Sequence, residues 1–137
     1  TGEQQYFDQT LQLETDPFRK SKLYNTIAKD FKQKGSYGKA REYFMKSLNA
    51  NPSDKSPHVQ IAYMYAASAN SCGDTNFNKR AVFWLAAAEA RKGGNNSLAA
   101  NYDAKAPSKS EIFSAGKGGQ SISIGCWIGR SVTVPKI

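Results

Sequence analysis

The chain has 137 residues, 39% hydrophobic and 22% charged, which points to one globular domain with a modest core and argues against a disordered chain. Its net charge of +8 favours an acidic partner: nucleic acid, anionic lipid or an acidic peptide. No apolar run approaches the roughly 20 residues of a membrane-spanning helix, no secretory leader is visible, and two cysteines are too few for a disulfide scaffold or a zinc site. The charge is uneven. Residues 1–16 carry four acidic and no basic residues, whereas residues 17–55 carry ten basic and three acidic.

In chain order, "QQYFDQTLQLETDP" reads as a helix. Asp16-Pro17 then supplies an N-cap followed by proline in the first turn of the next helix. Tyr24, Ile27, Ala28 and Phe31 fall at i, i+3, i+4 and i+7, one apolar helix face. Gly35 breaks that helix. A second face runs through Ala40, Tyr43, Phe44, Ser47 and Leu48, and Pro52 lies just past its end. Two such helices joined by a short turn make a helical hairpin.

The pattern then recurs. Ser56 and Pro57 open a helix with Ile61, Ala62 and Tyr65 on its apolar face, and Ala81, Leu85 and Ala88 mark its partner. "NSCGDTNFN" separates the two. Leu98 and Tyr102 predict a further helix, and Ser108 with Glu111 predicts a short one opened by a capping box, with Ile112 and Phe113 as its apolar content. "GKGGQ" is a link to strands. Ile122, Ile124, Cys126 and Ile128 alternate onto one face of the first strand, and Val132 and Val134 onto one face of the second. Directly opposed residues share a face. A three-residue loop, Gly129-Arg130-Ser131, is therefore expected, pairing Ile128 with Val132 and Cys126 with Val134. A lone hairpin is marginal in water, so its isoleucine face should dock on the last helices.

The stretch from Tyr24 to Pro52 resembles a tetratricopeptide repeat, a helix-turn-helix unit of about 34 residues. The family's large aromatic, Leu, small residue and Tyr of the first helix correspond to Tyr24, Ile27, Ala28 and Phe31. Gly35 and Tyr37 match the turn, and Ala40, Phe44, Ser47 and Pro52 the second helix. The resemblance implies a mostly α fold: an α-solenoid of helical hairpins ending in a capping helix and a small antiparallel β-hairpin. Its parts are a partial repeat at 1–16, a repeat at 17–54, a repeat at 55–95 with an insertion at 68–78, capping helices at 96–116 and the β-hairpin at 119–137. On this reading the chain is the C-terminal part of a longer array. The terminal "G-x-W-I-G-x-S-x-T-V" hairpin is similar to that of repeat proteins common in Bacteroidetes-type bacteria. That likeness implies export to the periplasm or membrane surface of a Gram-negative bacterium, with a cytoplasmic location left open, and implies no chemistry.

Catalysis finds little support. The lone histidine, His58, lacks the partners of a triad or metal cluster, and G-x-S-x-G, H-E-x-x-H and C-x-x-C are all absent. "GKGGQS" lacks the spacing of a phosphate loop and reads as a connector. No enzyme activity, cofactor, metal or small-molecule substrate is expected. Cys72 and Cys126 are candidates for a disulfide in an exported protein, the alternative being two unrelated thiols. In tetratricopeptide folds the first helices of successive repeats line a concave groove. The resemblance therefore puts Lys22, Asn25, Lys29, Lys32 and Gln33, with Val59 and Tyr63 of the next repeat, at a partner-binding surface. Basic and apolar groups together suit an acidic or C-terminal peptide. Asn25 and Lys29 depart from the Lys/Asn order of the family's carboxylate clamp. The expected function is a non-enzymatic protein-interaction scaffold. The alternative is a basic nucleic-acid-binding module, and membrane attachment would require an anchor N-terminal to this chain.

Overall fold

A computed structural model of the chain describes residues 2–137, with side chains from Gln5 onward. The chain is mostly helical and ends in a small antiparallel sheet. Its elements are α1 (Gly2–Leu13), α2 (Pro17–Gln33), α3 (Tyr37–Ala50), α4 (Ser56–Ala67), α5 (Ala69–Cys72), α6 (Asn76–Lys92), α7 (Asn96–Lys105), α8 (Lys109–Ala115), β1 (Ser121–Ile124) and β2 (Arg130–Thr133). They fall into two compact units, Thr1–Gln60 and Ile61–Ile137.

In the first unit, Asp16 caps α2 as its spacing predicts. Its Oδ1 accepts from the Phe18 backbone N–H at 2.9 Å, and Pro17 occupies the first turn, where no donor is needed. Gly35 ends the helix at φ +79°, with Gly35 N–H donating to the Lys32 carbonyl and Ser36 N–H to the Phe31 carbonyl. The α2–α3 hairpin buries Ile27, Ala28, Ala40, Phe44 and Leu48. Tyr43 stacks on Phe31 with centroids 5.6 Å apart. Two serines enter this apolar seam. Ser21 Oγ donates to the Ser47 carbonyl at 2.8 Å, Ser47 Oγ donates to the Ser21 carbonyl at 2.9 Å, and the hydroxyls lie 3.0 Å apart.

The second unit is closed by small residues. Ala81, Val82, Ala86, Ala87 and Ala90 are the buried face of α6, packed on α7. Of the predicted stripe Ala81, Leu85 and Ala88, only Ala81 is buried; the other two are half-buried. The wide alanine content of α6 blurs its periodicity, so the true stripe lies one position away. Asn95 caps α7, and Ser108 with Glu111 forms the expected capping box on α8. Ile112 is buried there, but Phe113 points outward.

Arg80 of α6 ties down the start of α8. It donates to the carbonyls of Lys105 and Ala106 at 3.2 Å and pairs with the Glu111 carboxylate. The hydrogen bond from Ser108 N–H, followed by that from Arg80, holds the Glu111 carboxyl below its ordinary pKa. Folding thus depresses this pKa. The stabilisation is complete above the unfolded carboxyl value, about 4.3, and is lost as pH falls through the lower folded value. Hydrogen exchange at the Ser108 and Glu111 amides should accelerate as pH drops below about 4, relative to the intrinsic rate. Glu111→Gln should remove that pH dependence; if it persists, the Glu111 bonds are not its source.

The terminal strands pair as Ile122↔Val132 and Ile124↔Arg130, which corrects the expected register. Residues 125–129 form the connection, so neither Ile128–Val132 nor Cys126–Val134 is a pair. Both registers keep even-numbered residues on one face, so alternation could not separate them. Tertiary anchors decide. Ile128 is fully buried, and the Trp127 ring stacks on Tyr65 with centroids 5.3 Å apart while its Nε1 donates to Ser68 Oγ at 2.9 Å. Cys126 leaves the isoleucine face and is exposed, at φ 56°. The docking itself follows expectation: Ile122, Ile124, Val132 and Val134 are buried, and both strands pack on α6.

Candidate functional site

The helical repeat of α2 sets Lys22, Asn25, Lys29, Lys32 and Gln33 at intervals that return to one face. Lys22, Lys29 and Gln33 are exposed, while Asn25 and Lys32 are half-buried. Lys32 Nζ donates to Gln60 Oε1 at 2.7 Å, which brings the first turns of α4 alongside the end of α2. Val59, half-buried, precedes Gln60. Tyr63 falls in the second unit, where it is 41% exposed and close enough to Tyr102 to help burial raise that residue's pKa. The structure thus brings the α2 residues together with residues 59 and 60, whereas Tyr63 belongs to the second unit.

Two features give this face its chemistry. Burial, and then the neighbouring Lys29 ammonium, holds the Lys32 pKa below the ordinary lysine value. Two ammonium groups therefore repel across one surface, and an incoming carboxylate would relieve both. Beside them, Asn25 Oδ1 is buried and has no hydrogen-bond partner among the described residues. An amide oxygen so placed awaits a donor. The lysines make the face electropositive, which favours an anion.

Sequence reasoning missed two contributors. Gln60 was not expected as the Lys32 partner, because the contact joins separate helices. On another face of the first unit, a cleft of about 460 Å³ is lined by Thr15, Lys20, Tyr24, Lys46 and Asn49 among others. Lys46 Nζ lies 4.7 Å from the Tyr43 ring centroid and 5.9 Å from that of Tyr24. The i, i+3 spacing of Tyr43 and Lys46 was the available signal.

The two cysteines are free thiols, Cys72 buried and Cys126 exposed. They nonetheless meet: burial first, then the Cys126 thiol beside it, pushes the Cys72 pKa up to about 11. Among the described residues, no group of three or more His, Cys, Asp or Glu is placed to hold a metal ion, and no helix is long and apolar enough to cross a membrane. Comparison with protein-family models, with curated proteins and with solved structures found no match to this chain.

Proposed function

We propose that this chain is a non-enzymatic protein-interaction module of tetratricopeptide type that binds an acidic peptide segment along the α2 face. The supporting observation is the set of three lysines, Lys22, Lys29 and Lys32, on one face of α2, with Lys22 and Lys29 exposed and Lys29 near enough to Lys32 to lower its pKa. The lysines attract carboxylates, so the face suits the acidic side chains of a peptide. The helical hairpin α2–α3, with its family-like spacing from Tyr24 to Pro52, supports the repeat reading.

The test is fluorescence anisotropy with a labelled decapeptide of alternating Glu and Ser. Lys22→Glu/Lys29→Glu/Lys32→Glu should weaken binding at least about tenfold, since it replaces three attractions by three repulsions. Equal binding by the wild type and the triple variant would sink the proposal. So would a single-stranded oligonucleotide that binds more tightly than the peptide with a steep salt dependence. The pH dependence is also fixed in sign. A bound carboxylate favours protonated Lys32, so affinity should fall as pH rises through the lowered Lys32 pKa. Lys32→Arg, always charged, should abolish that fall.

A further inference from the structure

Residues 125–129 are seated on the segment around α5 by contacts that converge on one spot. Trp127 Nε1 donates to Ser68 Oγ at 2.9 Å, and the Cys126 thiol donates to the Ser71 carbonyl at 3.2 Å. Ser71 immediately precedes Cys72, and a Cβ on Gly125 would lie 3.8 Å from the Cys72 carbonyl oxygen. The Cys126 thiol is near enough to the Cys72 thiol to help burial raise its pKa. Cys126 holds a left-handed φ of 56°, uncommon for a residue other than glycine, and its thiol is turned onto α5.

We propose that Cys72 and Cys126 form an intramolecular disulfide when the chain meets a disulfide oxidant, fastening the β1–β2 connection to α5. This rests on the second unit alone and is independent of the peptide-binding reading. The chemistry is two exchange steps. The Cys126 thiol, the exposed one, loses its proton, and the thiolate attacks one sulfur of an oxidant RS–SR. The oxidant's S–S bond breaks, and RS⁻ leaves and takes up a proton, giving a mixed disulfide on Cys126. Cys72 then loses its proton and attacks the Cys126 sulfur, and the second RS⁻ leaves and is protonated. Two electrons pass from the protein thiols to the oxidant, and two protons end on the two RSH products. Access sets the order: burial keeps Cys72 protonated and shielded, which suits it to the second, internal step. Oxidising compartments supply such oxidants.

The test begins with the reduced chain, incubated with oxidised glutathione, then denatured and alkylated with N-ethylmaleimide. The expected product is two hydrogens lighter than the reduced protein, carries no alkyl group, and yields a linked peptide containing Cys72 and Cys126. It should melt higher by roughly 5–15 °C and revert with dithiothreitol. Cys72→Ser should stop at a glutathione adduct on Cys126 while keeping the wild-type tryptophan emission, which shows the unit still folded. Two alkylated cysteines after oxidation, or a wild-type chain that stops at the same adduct as Cys72→Ser, would overturn the proposal.

Discussion

Phe44→Ala should destabilise the first unit by about 3–5 kcal/mol, the range for truncating a buried phenylalanine. Phe44 has no exposed surface and is the largest fully buried side chain among the described residues. The other buried residues of the α2–α3 hairpin include Ile27, Ala28 and Ala40. Two of them are alanines, which have no side-chain length with which to refill the space. The cavity should therefore persist, and the cost should fall toward the upper half of the range. The next residue supplies the control: Met45 is 46% exposed, and Met45→Ala should cost within about 0.5 kcal/mol. Urea unfolding followed by far-UV circular dichroism gives the comparison, with hydrogen exchange in α2 and α3 localising it. Both tryptophans, Trp84 and Trp127, belong to the second unit. Tryptophan emission therefore follows the second unit, while hydrogen exchange in α2 and α3 follows the first. A cost below about 1 kcal/mol would mean that Phe44 is not a keystone of the hairpin.

Gly73→Ala should cost about 2–4 kcal/mol, in the range of severe steric overpacking. The backbone at Gly73, φ −87° and ψ 133°, suits any residue, so conformational freedom is not why glycine stands there. The reason is proximity. A Cβ would lie 2.4 Å from the Lys79 nitrogen, 2.5 Å from its Cα and 2.8 Å from the Asn78 carbonyl carbon. These are backbone atoms of the α6 first turns and cannot rotate aside. Either α5 or the start of α6 must shift, and Ser71 of α5 and Ser68 just before it hold the β1–β2 connection. Loss of stability should therefore come with a red shift of Trp127 emission. Gly35→Ala is the contrast. Gly35 sits at φ +79° with nothing within 4 Å of a Cβ, so its cost is conformational only, about 1 kcal/mol. If Gly73→Ala costs no more than Gly35→Ala, the close approach of α5 to α6 is wrong.

These two residues mark what was legible in the sequence. Phe44 announced itself: an aromatic at helical spacing between Ala40 and Leu48, after a glycine break, is local information that periodicity reads directly. The Asp16-Pro17 start and the Ser108–Glu111 capping box are equally local, being bonds between residues two or three apart. Gly73 carried no such signal, because its constraint comes from a chain that returns against it six residues later. The hairpin register failed for the same kind of reason. Alternation specifies which residues share a face, and Ile122, Ile124, Val132 and Val134 do share the buried one. It does not specify where the chain turns, and that was decided by Trp127 and Ile128 finding seats elsewhere in the unit. On the α2 face, the spacing of Lys22, Asn25, Lys29 and Lys32 was readable from helix geometry alone. The Lys32–Gln60 bond was not, because it depends on what another helix brings near.

The serine pair between α2 and α3 has a consequence for how the hairpin finds its alignment. Aliphatic and aromatic surfaces tolerate sliding: moving one helix a turn along the other trades one apolar contact for another of similar value. Hydroxyls and carbonyls do not. In the native alignment Ser21 and Ser47 each donate to the other's backbone oxygen. A slip of one turn would strand both hydroxyls in an apolar seam, at about 1–3 kcal/mol for each unsatisfied group. Neither bond adds much to the stability of the correct pairing, since water would have satisfied the same groups in the unfolded chain. Their effect falls on the wrong pairings, which they make expensive. The two serines act as a key cut into a smooth edge, selecting one alignment of α2 on α3 from several that hydrophobicity alone would leave nearly equal.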